Sequence, residues 1–302
     1  SPNPSGLLIY LEGGGACWDY EACGTVGDYG LSFHLDGFDQ SDWDGEWGSI
    51  YKAIVPFDRE RAENPWRDAH HVFMPYCTAD VFAGDRVTEL FSNNGSKSRT
   101  MHYRGHHNFA EYLKRLVPTF HDTPRVWLTG SSAGAFGAQL NWFQASERFG
   151  DVRVDVISDS GQPVMPDPET WQTWLDTWGL VLPEGCTNCE DNISNILRYG
   201  AETILADGAR YGLIAYDKDI IISGFIGISI SEHEAGVHEV LDRLDDPSYP
   251  NSDRADYFAK DGYFHTTFLS GITTVDSEGV LLWEWLTQFV NDDPELRSLG
   301  PD

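Results

Sequence analysis

The chain has 302 residues, of which 48 are acidic and 20 basic, for a formal net charge of -28. A surface of that sign repels nucleic acid and anionic membrane, so neither is an expected partner, and the acidity reads as a solvated shell. Apolar residues make up 41% and there are 11 tryptophans, enough for a large core, but no run approaches the roughly 18 apolar residues of a spanning helix.

The chain begins Ser1-Pro2-Asn3-Pro4 and enters an apolar run within a few residues, which leads us to expect a segment upstream of Ser1. Leu7 to Leu11 is a continuous apolar strand that ends in Glu12-Gly13-Gly14-Gly15. His71 to Tyr76 reads as a second strand, Arg125 to Thr129 as a third, Val152 to Ile157 as a fourth and Tyr211 to Tyr216 as a fifth. Between the second and third, Phe109, Leu113 and Leu116 recur at helical spacing, and Ala133 to Phe149 carries Phe136, Leu140 and Phe143 along one side. Unbroken apolar strands alternating with helices predict a doubly wound, mostly parallel α/β sheet covered on both faces. Two long insertions, 24–69 and 162–210, interrupt the pattern and read as loops or lids over a substrate pocket. With no repeat or low-complexity linker, residues 1–302 are expected to form one domain.

Gly130-Ser131-Ser132-Ala133-Gly134 matches G-x-S-x-G and falls between a strand and a helix, the context that turns a common pentapeptide into a nucleophile elbow. A tight turn there lifts the Ser132 hydroxyl above the sheet, and the following helix N-terminus offers the Ala133 N–H to a developing oxyanion. The glycines at 13–15 follow the first strand, where hydrolases of this type place their other oxyanion donors. A phosphate loop would need G-K-[ST], which is absent.

On this fold the acid and then the base follow the serine along the chain. Asp217 ends the fifth strand, two strands after Ser132, and is favoured as the acid over Asp159, which comes one strand too early; Asp219 is a fallback. His265, in Gly262 to Phe268 at the end of a plausible last strand, is the base favoured by position. His233 and His238 compete, but their H-E-x3-H spacing is one residue too long for the zinc-protease motif, and no metal or other cofactor is expected.

The five cysteines include two close pairs, Cys17 with Cys23 and Cys186 with Cys189, whose spacings suit local disulfides. C-x2-C is also half of a zinc site, but a matching second half is missing. Cys77 is left as a buried thiol or the partner of an upstream cysteine. This usage leans towards an exported protein, secreted or periplasmic.

Together these residues resemble the pectin acetylesterase/Notum family of carboxylesterases, within the α/β-hydrolase superfamily. The resemblance rests on Leu11-Glu12-Gly13-Gly14-Gly15-Ala16-Cys17-Trp18 with Cys23, Asn64-Pro65-Trp66, and Val72 to Asp80. It continues in Tyr103-Arg104-Gly105 with Asn108 and in Thr129 to Gly134, covers residues 7 to 161 well, and rests beyond them on Asp217 and His265 in order. It implies a metal-independent, extracellular serine esterase that removes short acyl groups from a small ester or an acylated polymer. It also implies Ser132, Asp217 and His265 as a triad, Gly13, Gly14 and Ala133 as oxyanion donors, and a Cys17–Cys23 bridge. A lipid or polyester esterase or a thioesterase would use the same groups. The non-enzymatic alternative is a glycan-binding module that uses Trp18, Trp43 and Trp47.

Overall fold

The computed structural model describes residues 5–24, 34, 35 and 37–301, and for residues 46, 47, 49 and 50 the backbone alone. Parts of the 24–69 insertion (25–33 and 36) and the Trp47 side chain therefore lie outside the described residues.

Among the described residues, and apart from the short pair Asp276–Ser277 and Val280–Leu281, eight strands organise the fold: β1 (Leu7–Leu11), β2 (His70–Met74), β3 (Arg86–Phe91), β4 (Ser98–Tyr103), β5 (Val126–Ser131), β6 (Val154–Asp159), β7 (Tyr211–Tyr216) and β8 (Ala255–Lys260). Six form a sheet in the order β2-β1-β5-β6-β7-β8, with every pair parallel. β3 and β4 pair as a separate antiparallel hairpin that apolar patterning did not reveal, because Val87 and Phe91 on it are exposed. β8, at the edge of the sheet beside β7, lacks the signature of an unbroken apolar run because its six residues include a largely buried Asp256.

Alternation along β1 divides the core. Leu7, Ile9 and Leu11 face one layer with helices Gly105–Thr119 and Ala133–Phe149, while Leu8 and Tyr10 face another with Trp66, Trp285 and Phe289. Both faces are thus covered, as a parallel sheet requires, and the architecture is that of an α/β hydrolase.

Register fixes where function can sit. Leu11 pairs with Gly130, Ser131 with Asp159, and Tyr216 with Lys260, so the C-terminal ends of β1, β5, β6, β7 and β8 line up in one row. Every loop leaving those ends opens on the same rim of the sheet, the usual ligand-binding edge of such folds. At the opposite rim, Arg125, Arg153 and Arg210 precede β5, β6 and β7 and pair with Asp155, Asp256 and Asp292. This charge network ties down the strand starts, far from the loops that matter for chemistry.

Candidate active site

The elbow comes first. Ser132 has φ 57° and ψ -124° between β5 and the helix Ala133–Phe149, a left-handed conformation that a non-glycine residue holds only under constraint. The glycines of the motif explain how the turn closes: a Cβ at Gly130 or Gly134 would collide with the Leu11 carbonyl oxygen. Ala133 opens the helix, so its N–H has no acceptor within the helix and is free to face a ligand.

The glycine loop after β1 packs directly on this elbow. A Cβ at Gly13 would lie 2.7 Å from the Ser131 carbonyl oxygen and 3.3 Å from Ser132 Cβ, and Gly14 and Gly15 both have positive φ. Cys17 and Cys23 form a disulfide just beyond it, and Cys186 and Cys189 form the second; Cys77 is a half-buried free thiol.

His265 lies in the loop after β8, not at the end of a strand, and its Nδ1 is 2.7 Å from Asp219 Oδ2. The pairing expected with Asp217 is therefore corrected: the structure brings Asp219 to His265. Asp219 is fully buried and caps the short helix Ile220–Phe225, accepting the N–H groups of Ile221 and Ile222 at 2.9 and 3.0 Å on Oδ1. That cap anchors one carboxylate oxygen and leaves the other for the imidazole. Asp217 has other partners. Its Oδ1 accepts the Gly262 N–H at 3.0 Å and its Oδ2 is 3.5 Å from His238 Nε2, with Lys218 close by. The sequence did carry a signal for Asp219, since an aspartate just before an apolar helical turn is a strong N-cap.

The competing histidines are occupied elsewhere. His233 is fully buried, with Nδ1 2.9 Å from the Asp217 carbonyl oxygen, and burial pushes its pKa down. Asp217, Glu234 and His238 come within 4.8 Å of one another, but the Lys218 ammonium, 3.4 Å from Glu234, already supplies positive charge there.

Ser132 opens on a small apolar cavity whose walls include Gly15, Val81, Phe136, Trp174, Phe225 and Ile226. Val81, Phe136 and Trp174 also wall a second small cavity, lined further by Trp171 and Leu180. Trp174 comes from the 162–210 insertion. It stacks on Trp178, whose indole N–H donates to the Cys17 carbonyl at 2.7 Å, so the insertion is fastened to the glycine loop. Trp18, one of the tryptophans considered for glycan binding, packs against Trp174, Trp178 and Phe225.

Glu12, immediately before the glycines, is an unanticipated feature of the site. Its side chain is fully buried, Oε2 accepts the Tyr76 N–H at 2.9 Å, and burial pushes the carboxyl from 4.5 up to about 7. A folded-state pKa above the unfolded one means that the native state holds the proton more tightly. This contribution to stability is complete below about pH 4.5 and is lost as pH rises through about 7. Glu12→Gln, which keeps the shape without the ionisation, is expected to match the parent at pH 4 and exceed it in stability at pH 8, by on the order of 3 kcal/mol. Denaturant unfolding at the two pH values checks this, and an equal effect at both would refute it.

Over residues 3–179, more than half of the chain, the sequence matches the pectinacetylesterase family. It is 29% identical to palmitoleoyl-protein carboxylesterase NOTUM of Drosophila melanogaster over 205 residues, 62% of this chain and 29% of that protein. It is 30% identical to palmitoleoyl-protein carboxylesterase notum2 of Xenopus laevis over 202 residues, 59% of this chain and 38% of that one. The chain thus spans less than two fifths of the length of these relatives. A crystal structure of the Drosophila Wnt deacylase Notum shares its fold with a TM-score of 0.68 at 19% identity, covering 100% of this chain and 89% of that one. A second crystal form gives 0.63 at 20% identity, covering 99% and 90%.

Proposed function

Because this chain belongs to the pectinacetylesterase family, we propose that it is a serine carboxylesterase acting through an acyl-enzyme, with Ser132, His265 and Asp219 as its triad. The observation that carries this reading is the buried Asp219–His265 pair, delivered to the same rim of the sheet as the strained Ser132 elbow and the glycine loop.

In this mechanism Ser132 Oγ attacks the ester carbonyl while His265 Nε2 takes its proton. Asp219 holds Nδ1–H, which fixes the imidazole tautomer and stabilises the imidazolium. The N–H groups of Gly13, Gly14 and Ala133 receive the oxyanion, and each such donor is typically worth about 100- to 1,000-fold in rate. His265 returns the proton to the departing alcohol. Water, deprotonated by the same imidazole, then cleaves the acyl-enzyme to release the carboxylic acid and restore Ser132. No step calls on a metal or other cofactor.

The small cavity beside Ser132 supports a short acyl group, because Val81, Phe136 and Trp174 line both it and the second cavity and so stand between them. The relatives are named for palmitoleoyl groups, and a chain of that length would need both cavities joined. On p-nitrophenyl esters we expect kcat/KM for acetate or butyrate to exceed that for palmitate by roughly tenfold or more. Trp174→Ala, which removes the shared wall, is expected to shift the optimum to longer chains. A maximum at long chains in the parent enzyme would refute the short-acyl assignment. On the alcohol side, the reading extends to a small ester or an acylated polymer. The two disulfides support a secreted or periplasmic setting, and among the described residues no helix is long and apolar enough to cross a membrane.

A further inference from the structure

Asp159 is not the acid, yet it is the most heavily bonded side chain beside the site. It ends β6 in register with Ser131 and is fully buried. Its Oδ1 accepts the Thr267 N–H and the Thr267 hydroxyl, both at 2.9 Å. Its Oδ2 accepts the Phe268 N–H at 3.0 Å and the Ser131 hydroxyl at 2.7 Å. Ser131 Oγ in turn accepts the Tyr10 hydroxyl at 3.0 Å. The Asp159 backbone carbonyl takes the Ser132 N–H at 2.9 Å. One residue therefore grips the nucleophile through its main chain and the segment just after His265 through its side chain.

Backbone conformation gives an independent reason to read this as a clamp. Ser132, Ser160 and Thr266 have φ of 57°, 63° and 58°, in the left-handed region that side-chain-bearing residues rarely occupy. They belong to the three segments that meet at Asp159: the elbow, the end of β6 and the His265 loop. The Thr266 N–H is further held by Ser160 Oγ at 2.9 Å. Such conformations persist only where the surroundings over-determine them. No regular element holds residues 262–268, and besides the bonds between Asp217 and Gly262 and between Asp219 and His265 it is Asp159 and Ser160 that fix residues 266–268.

We infer that Asp159 is a positioning residue that locks the loop carrying His265 to the nucleophile elbow and so sets the register of the imidazole over Ser132. This inference rests on the esterase reading. A buried carboxylate suits the role because it accepts four donors at once, whereas an amide at the same place accepts on one arm and donates on the other. On this reading the approach of base to nucleophile is set from one side by Asp219, which orients the ring, and from the other by Asp159, which places its loop.

The test is Asp159→Asn, assayed on p-nitrophenyl acetate with active sites counted by fluorophosphonate titration, so that only competent enzyme enters the rate. We expect kcat per titrated site to fall about 10- to 100-fold with KM within about twofold, since misplacing a reacting group lowers the chemical step more than binding. A kcat within about twofold of the parent, or a loss carried by KM alone, overturns the inference. Thr267→Val removes only the hydroxyl contact and serves if Asp159→Asn does not fold; it should lower kcat several-fold at constant KM, and a parental kcat would overturn the inference equally. Ser132→Ala keeps the two claims apart. Ser132-dependent turnover that survives loss of the Asp159 contacts sinks the clamp alone, while turnover that survives Ser132→Ala sinks the esterase reading and the clamp with it.

Discussion

Ser132→Ala is expected to abolish p-nitrophenyl acetate turnover, with a loss on the order of 10⁶-fold in kcat, and to remove all fluorophosphonate labelling. The size follows from the role: without the nucleophile the acyl-enzyme route closes, leaving what the oxyanion donors contribute on their own. Alanine occupies no more space than serine, and the elbow is shaped by Gly130 and Gly134 crossing Leu11, so the fold should persist. Circular dichroism and a thermal melt close to the parent's would show that it does. Retention of turnover within about tenfold of the parent would remove Ser132 from the mechanism.

The second large effect separates two aspartates that lie two residues apart. Asp219→Asn should lower kcat by about 10⁴-fold, because an amide opposite Nδ1 no longer enforces the required imidazole tautomer. Asparagine is as good an N-cap as aspartate, so the helix Ile220–Phe225 keeps its start and the variant isolates the chemical role. Asp217→Asn, by contrast, should cost less than about tenfold, because an amide oxygen can still accept the Gly262 N–H and the residue makes no contact with His265. Steady-state kinetics on the pair decides the matter, and the reverse ranking would restore Asp217 as the acid.

Much of this molecule is legible in its residues read in order. The apolar runs at Leu7–Leu11 and Tyr211–Tyr216 are strands with those limits, and Ala133–Phe149 is the elbow helix. Burial on both faces of a parallel sheet forces near-continuous apolar stretches, which makes such strands visible one at a time. The Ser132 elbow and the glycine loop were equally readable, since each needs small residues at fixed places where backbone crosses backbone. Strands without that signature escaped: the hairpin β3–β4 exposes Val87 and Phe91, and β8 buries Asp256 among apolar neighbours.

The serine, its glycine loop and the parallel sheet under them are therefore properties of local sequence. The partner of His265 is not. Asp217 and Asp219 both follow β7, and apolar periodicity says nothing about which carboxylate faces a loop that returns 46 residues later. That choice belongs to the tertiary structure. One oxygen of Asp219 is spent on capping a helix, which aims the other at the imidazole, while the oxygens of Asp217 are engaged by Gly262 and His238. Asp159 follows the same rule: it was visible as a strand end, but its four donors come from residues 131, 267 and 268, which only folding brings together. Hydrogen-bond partners at a site are selected by direction and distance in space, and spacing along the chain carries neither.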